Sequence, residues 1–455
     1  MTGANSPLPA WGLRALALGL ILCAAAVASA ILAGSVWPGL MSYDSLRAFS
    51  ESAGGITTVT WPPMHAYLIS LAGRLPFAPG NIIFLQTFLL CAAGVFLAFR
   101  IFRSTVQAVA ASGVYLVLLA LSPSVSGSLA VHWRDPMTAA FFCLAVAMWV
   151  GPPGRASWPG LLLGALAASI CLALRYNAFP VLVPITFLMA FRVWRFERSN
   201  FARFAALLVL LVPYPLAVAS VTWRLPDFQR MPPASSLSTT RLFDIVGVGA
   251  CSGRSVLPVA ADSQAPVPVA DLRKVYTPTH VNIIVSGLEA RGYSPQTLGD
   301  NALRAAWFDA VSQYPGCFLS HRRLVLLAQI GVLKGDPFYV MHNQIDPNDF
   351  GFRLARPDKA AAYVAVVNRQ AQAYWNRPVV LLLLSLVLMA VTFRAAPERR
   401  LLKLALALGA TGFTGLLFLV SPAADARYIV PALAAAALLA AISTADLRPF
   451  RPRED

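Results

Sequence analysis

The chain reads as an all-α polytopic membrane protein of about ten transmembrane helices, and three observations lead there. It is 58% hydrophobic and 12% charged, with mean hydropathy +0.65, whereas a soluble domain carries roughly 25% charged residues. Apolar runs of roughly 15 to 20 residues recur along it, long enough as helices to cross a ~30 Å hydrocarbon core. Basic residues collect in alternate loops between those runs, as the orientation rule for membrane proteins requires. A length of 455 residues would otherwise suggest two or three soluble domains, and the composition excludes them.

The net charge of +16, from 36 basic and 20 acidic residues, would point to nucleic acid in a soluble protein. Here a cytoplasmic loop bias accounts for it, and no nucleic-acid partner is expected. Lysine is confined to Lys274, Lys334, Lys359 and Lys403, an arginine bias that fits a bacterial, GC-rich coding history. Cys23, Cys91, Cys143 and Cys171 sit inside apolar runs as small packing residues. Cys251 and Cys317 lie in the one long polar segment and can pair if that segment is exported.

In order, the first apolar run spans Ala15 to Ala33 after Arg14. Ala28-Ser29-Ala30 imitates a cleavage site, but the run exceeds a signal-peptide core and further spans follow. An uncleaved first span with a cytoplasmic N-terminus is expected. The loop Trp37–His65 comes next, with Asp44 and Glu51 as its acids. Trp61 to Leu75 is short for a span, opens on Pro62-Pro63 and suits an amphipathic helix on the outer surface. Further spans are predicted near 81–99, 106–121, 136–151, 158–174, 178–193, 203–222, 379–393, 402–420 and 428–443. The inner loops then hold Arg100, Arg103, Arg155, Arg192, Arg195, Arg198, Arg203, Arg394, Arg399, Arg400 and Lys403, which places both termini in the cytoplasm.

This divides the chain into a membrane module over 1–222 with its first outer loop at 37–80, an external subdomain over 223–378, and C-terminal membrane helices over 379–455. The external subdomain is expected to be mixed in structure and partly irregular. MPPASSLSTT reads as loop, NALRAAWFDAVSQYP as a helix stopped by Pro315, and HRRLVLLAQIGVL as a helix resting on the membrane. No phosphate loop, glycine fingerprint or zinc spacing occurs.

The informative charges are those predicted at the outer face: Asp44 and Glu51, His132-Trp133-Arg134-Asp135, Arg175-Tyr176-Asn177, and Asp425-Ala426-Arg427-Tyr428. Each group lies at the end of a span. Arginines there run against the orientation bias, so something must hold them: pairing with Asp135 and Asp425, or an anionic ligand near the outer leaflet. A planar guanidinium suits a phosphate diester, because it donates two parallel hydrogen bonds and stays charged when desolvated. A lipid-linked sugar presents such a phosphate at this depth. One carboxylate can accept the proton of an acceptor hydroxyl while fixed cations stabilise the departing phosphate.

These residues resemble the GT-C superfamily of polyprenyl-phosphate-sugar-dependent glycosyltransferases, which includes protein O-mannosyltransferases and aminoarabinose transferases. The resemblance is carried by Asp44 after the first span, Trp61-Pro62-Pro63, Arg134-Asp135, Leu174-Arg175-Tyr176-Asn177 and Ala426-Arg427-Tyr428-Ile429-Val430-Pro431. It covers 37–180 and the last span well, and 223–378 poorly. It implies a GT-C-like fold, Asp44 as catalytic acid residue of the first outer loop, and Arg134, Arg175 and Arg427 on the donor phosphate. Ser45 stands where many relatives carry a second acid, and Trp61 where many carry a histidine.

The expected activity is therefore inverting transfer of a sugar from a polyprenyl-phosphate donor to a lipid, glycan or protein acceptor, at the periplasmic face of a bacterial inner membrane. A transporter or flippase of lipid-linked sugars is the alternative, using the same arginines without chemistry; a non-catalytic scaffold is another. Glu51 is the rival base, seven residues from Asp44 and on its face if 42–53 is helical. His65, His132, Asp135, Tyr176, Asn177 and Tyr428 are secondary candidates. His321-Arg322-Arg323 suits either a solvated interfacial patch or contact with donor or lipid phosphates. The residues specify no cofactor and leave use of a divalent cation open; Asp336, His342, Asp346 and Asp349 offer oxygens for one at a spacing that matches no known loop.

Overall fold

The computed structural model describes residues 10–54, 56–57, 62–150, 157–197, 199–222, 229–230, 237–259, 266–293, 298–333, 339–391 and 397–444. The first part contains α1 (Ala10–Ser35), α2 (Tyr43–Gly54), strand β1 (Ile56–Thr57), α3 (Met64–Gly73), α4 (Asn81–Ile101), α5 (Thr105–Leu121) and α6 (Pro123–Leu129). It continues with α7 (Arg134–Trp149), α8 (Trp158–Leu174), α9 (Phe179–Phe196), α10 (Asn200–Leu211) and α11 (Pro213–Thr222). The polar segment carries strand β2 (Gln229–Arg230), α12 (Ser238–Ser252), α13 (Val269–Val275), α14 (Val281–Glu289), α15 (Asp300–Gln313), α16 (Pro315–Gln329) and α17 (Pro357–Gln372). The chain closes with α18 (Pro378–Val391), α19 (Pro397–Val420) and α20 (Val430–Thr444).

Helices occupy every predicted span position, and the chain is a polytopic helical membrane protein. Among the described residues, six are long and apolar enough to cross alone, or seven when α5 and α6 count as one bent span. The others, α7, α8 and α18, are apolar but shorter, with 16, 17 and 14 residues. Proline causes the irregularities. Pro123 lacks an amide proton and disfavours helical backbone at Ser122, so α5 stops and α6 leaves at 80°. Pro213 marks the junction of α10 and α11, but Val212 before it stays helical, so Asn200–Ala219 still counts as one span.

The helical core forms around α20, whose residues Val430 to Ser443 are all buried. Its sequence is mostly alanine, and small side chains let α5, α7, α18 and α19 approach closely without a directional bond. Basic residues at the opposite end from Asp44 seal helix C-termini. Arg14 donates to the carbonyls of Phe99, Phe102 and Arg103, and Arg100 to those of Ala147 and Met148.

Three expectations are corrected. The surface helix starts at Met64 rather than Trp61, because Pro62 and Pro63 precede its first turn; Trp61 lies outside the described residues. The polar segment is helical rather than mixed among the described residues, apart from the two-residue parallel pairing of β2 with β1. Ser238 to Thr240, expected in a loop, begin α12, and Pro315 both ends α15 and opens α16 at its first position. Third, His321 and Arg322 of α16 are not a solvated basic patch. The helix buries His321, Arg322, Val325 and Gln329 against α12 and α19, beside an apolar cluster that includes Leu242, Phe243, Val246 and Ile284.

The first loop is pinned by short backbone bridges. Leu40 accepts from His132 N and donates to Ala130 O, at 3.0 Å each. Met41 donates to Gln344 O at 3.1 Å and accepts from Asp346 N at 2.9 Å. Residues 40–41 are thus held between the turn before α7 and the polar segment, which fixes where α2 begins.

Candidate functional site

Asp44 is the second residue of α2, and its carboxylate accepts a 2.5 Å hydrogen bond from Arg427 Nη2. Arg427 lies in a 3₁₀ turn, Ala426–Ile429, just before α20. Its Nε faces Asp425 Oδ2 at 2.7 Å, and its backbone amide donates to Asp425 Oδ1 at 3.2 Å. The guanidinium also lies over the Trp133 ring at 4.5 Å and the Tyr428 ring at 5.1 Å. Trp133 is oriented in turn by donating from its indole nitrogen to Ser42 Oγ at 2.8 Å.

The second ion pair is deeper. Arg175 closes α8, and its Nε lies 2.6 Å from Asp135 Oδ1, with Asp135 only 1% exposed. Arg175 also sits 4.5 Å from the centre of the Tyr428 ring, so one aromatic ring adjoins two guanidinium groups. Arg134 opens α7 close enough to Asp44, Asp135, Arg175 and Tyr428 to feel their charges. Three acids (Asp44, Asp135, Asp425) and three arginines (Arg134, Arg175, Arg427) therefore meet where four separate chain stretches come together. Their formal charges cancel, three against three, which lowers the cost of gathering them in a low-dielectric site.

The secondary candidates divide. His65, on the buried face of α3, faces Arg134, His132 and Asp44. Burial, then Arg134 and His132, push its pKa down to about 3 against the opposing pull of Asp44, so it is a neutral imidazole. His132 Nε2 is bonded to Pro38 O at 2.8 Å, and its ring meets the Phe49 ring edge-on at 5.2 Å. It supports the first loop. Tyr176 and Asn177 form the 3₁₀ turn after Arg175, both partly buried. Glu51 shares α2 with Asp44, as the helical reading requires, yet lies two turns away with Arg47 Nε at 3.4 Å. It is buried, and its place is at the far end of the helix.

Two groups singled out for other roles also resolve. His321 and Arg322 are buried against Asp244, at 3.4 and 2.6 Å, rather than solvated. His342 pairs with Asp346 at 3.0 Å and accepts or donates at Tyr339 over 3.1 Å; Asp336 lies outside the described residues. Among the described residues, no group of three His, Cys, Asp or Glu side chains is placed to hold a metal. Tyr339 is a site neighbour that the sequence reading missed, near Asp425 and Arg427, and burial pushes its hydroxyl up to about 12. Nothing in its local sequence marks it, because the contact depends on how a long polar segment folds back. Cys251 and Cys317 form a disulfide joining α12 to the start of α16.

The chain matches no protein-family model and no curated protein. Among solved structures it is similar to the crystal structure of ArnT from Cupriavidus metallidurans bound to undecaprenyl phosphate. That likeness has 15% identity and a TM-score of 0.35, over 94% of this chain and 78% of the other. At that distance it assigns no residue a role. The fold and its polar cluster define an integral membrane protein with six ionisable groups gathered at one end of a helical bundle.

Proposed function

We propose that the protein is an inverting glycosyltransferase, moving a sugar from a polyprenyl-phosphate donor to an acceptor hydroxyl outside the cytoplasm. The observation that carries this reading is the 2.5 Å pairing of Asp44 with Arg427, within a cluster that also contains Arg134 and Arg175. A donor phosphate competes with Asp44 for Arg427, since both are anions. Its arrival frees the carboxylate beside the bond to be broken.

Asp44 then accepts the acceptor's proton as the hydroxyl oxygen bonds to the anomeric carbon. The bond from that carbon to the phosphate oxygen breaks, and its electron pair leaves with polyprenyl phosphate. Arg427, Arg175 and Arg134 stabilise the growing phosphate charge, and buried walls keep the cations from being screened. With no second carboxylate acting as nucleophile, one displacement inverts the anomeric centre.

The disulfide supports the sidedness. Cys251–Cys317 belongs to an oxidising compartment, and the same polar segment bonds directly to Met41 and Ala424 at the site. The charge distribution agrees, with Arg14, Arg100 and Arg103 at the other end. A bacterial inner membrane, with both termini inside and the site at the periplasmic face, fits both. The helices from α12 to α17 then form an external subdomain.

Reconstituted protein incubated with a labelled polyprenyl-phosphate sugar tests the reading. Transfer to an acceptor that is lost in Asp44→Asn is expected. Movement of the labelled lipid across the vesicle membrane without transfer would make the protein a transporter, and the absence of both transfer and movement would exclude both readings.

A further inference from the structure

Four residues of the polar segment grip the short stretch between α19 and the turn that bears Arg427. The Thr240 hydroxyl donates to Val420 O at 3.4 Å, and Arg322 Nη1 donates to Ser421 O at 2.7 Å. The Ala424 amide donates to Thr279 O at 2.8 Å, and Gln329 Nε2 donates to Asp425 O at 3.2 Å. His280 adds an antiparallel bridge to Ala423. Two residues after the last of these contacts, Arg427 meets Asp44.

Arg322 is the anchor of this grip. It is 0% exposed, and its second terminal nitrogen donates to Asp244 Oδ2 at 2.6 Å. The same oxygen accepts from Trp307 Nε1 at 2.7 Å, while His321 covers the other oxygen. A buried ion pair is seldom the most stabilising filling for a core; apolar residues of equal volume often do better. What a paired guanidinium adds is direction, fixing a carbonyl at one end and a carboxylate at the other. The carbonyl it holds is at the C-terminal end of α19, where the helix dipole favours a cation.

We propose that Arg322, neutralised by Asp244, is a positioning residue for Arg427. It holds the 420–425 stretch from behind, so that Asp425 and Arg427 face Asp44. Its consequence for donor binding rests on the transferase reading; the positioning itself does not.

Hydrogen–deuterium exchange on the full chain in detergent micelles tests the positioning. In Arg322→Gln, amides of 420–429 should exchange at least tenfold faster, while those of α7 and α20 keep wild-type rates. Gln329→Leu, which removes one hydrogen bond and no charge, should give a smaller rise in the same stretch. In a second measurement, undecaprenyl phosphate is titrated as probe. Arg322→Gln should weaken its binding about tenfold in the wild type and have no further effect when Arg427→Gln is already present. Unchanged exchange at 420–429 in both variants overturns the proposal, as does an equal rise in α7 and α20 or additivity with Arg427→Gln. If the wild type fails to bind undecaprenyl phosphate, the transferase reading falls, and the exchange measurement still decides the positioning.

Discussion

Asp44 and Arg427 stand 383 residues apart in the chain and 2.5 Å apart in space. The two ends differ: Arg427 also holds Asp425, whereas the Asp44 side chain keeps 24% of its surface exposed. The pair is therefore loose on the acid's side and firm on the cation's side. That asymmetry suits a carboxylate that must be released and a guanidinium that must stay.

Asp44→Asn should separate chemistry from stability. Loss of a general base costs roughly 10²- to 10⁴-fold in transfer rate. Stability should change by about 1 kcal/mol or less, because a partly exposed pair contributes little and Arg427 keeps Asp425. Transfer assays and thermal unfolding of the same preparation check this. Near-normal transfer would remove Asp44 as the base.

Arg175→Gln should behave in the opposite way. It leaves the Asp135 carboxylate buried and unpaired, which costs about 3–5 kcal/mol. Adding Asp135→Asn should recover much of that loss, since the stranded charge is gone. Unfolding midpoints of the single and double variants decide; a double variant no more stable than Arg175→Gln would show that the pair is not what stabilises this corner.

Arg427→Lys tests geometry at constant charge. A single ammonium cannot reproduce the fork that spans Asp44 and Asp425, so undecaprenyl phosphate binding should weaken roughly 10- to 100-fold. Unchanged affinity would place the phosphate elsewhere in the cluster.

Replacing Cys251 and Cys317 by serine should destabilise α12 and α16 by about 2–4 kcal/mol through the 66-residue loop they close. The first loop and α20 should be little affected, which exchange measurements on the peptides would reveal. Recovery of free thiols from both cysteines in protein extracted without reductant would contradict the oxidising location.

Acid should loosen the same region. Burial holds His321 below its ordinary 6.5, opposed by Asp244 and reinforced by Arg322, with the Tyr276 hydroxyl on its other nitrogen. A histidine kept neutral by the fold contributes stability that is present above its unfolded pKa and is lost as pH falls through the folded one. Protection of α12 and α16 should therefore fall from pH 7.5 to 5.5, and His321→Gln should flatten that dependence. Equal pH sensitivity in the variant would assign the effect to another group.

Span positions were legible because a helix that crosses lipid must satisfy its own backbone, so that length and apolarity locate it. The charged span ends were equally legible: Arg134, Arg175 and Arg427 stand out against the predicted loop bias, and Asp44 follows a long apolar run. What residue order could not supply was pairing. Asp135 takes Arg175 and Asp425 takes Arg427, yet nothing in HWRD or DARY says which acid meets which cation. Nor did it reveal that Arg322, read as surface, is buried beneath Ser421, because an arginine between apolar residues looks the same whether water or a carboxylate neutralises it.

The one-dimensional pattern settled that the chain enters a membrane, where its helices lie and which end collects charge, since those follow from local hydrophobicity and loop bias. Only the folded chain decided the partners of each charge, the approach of 344–346 to Met41, and the grip of the polar segment on 420–425. Those depend on contacts between residues hundreds of positions apart, and the chain's local preferences carry no record of them.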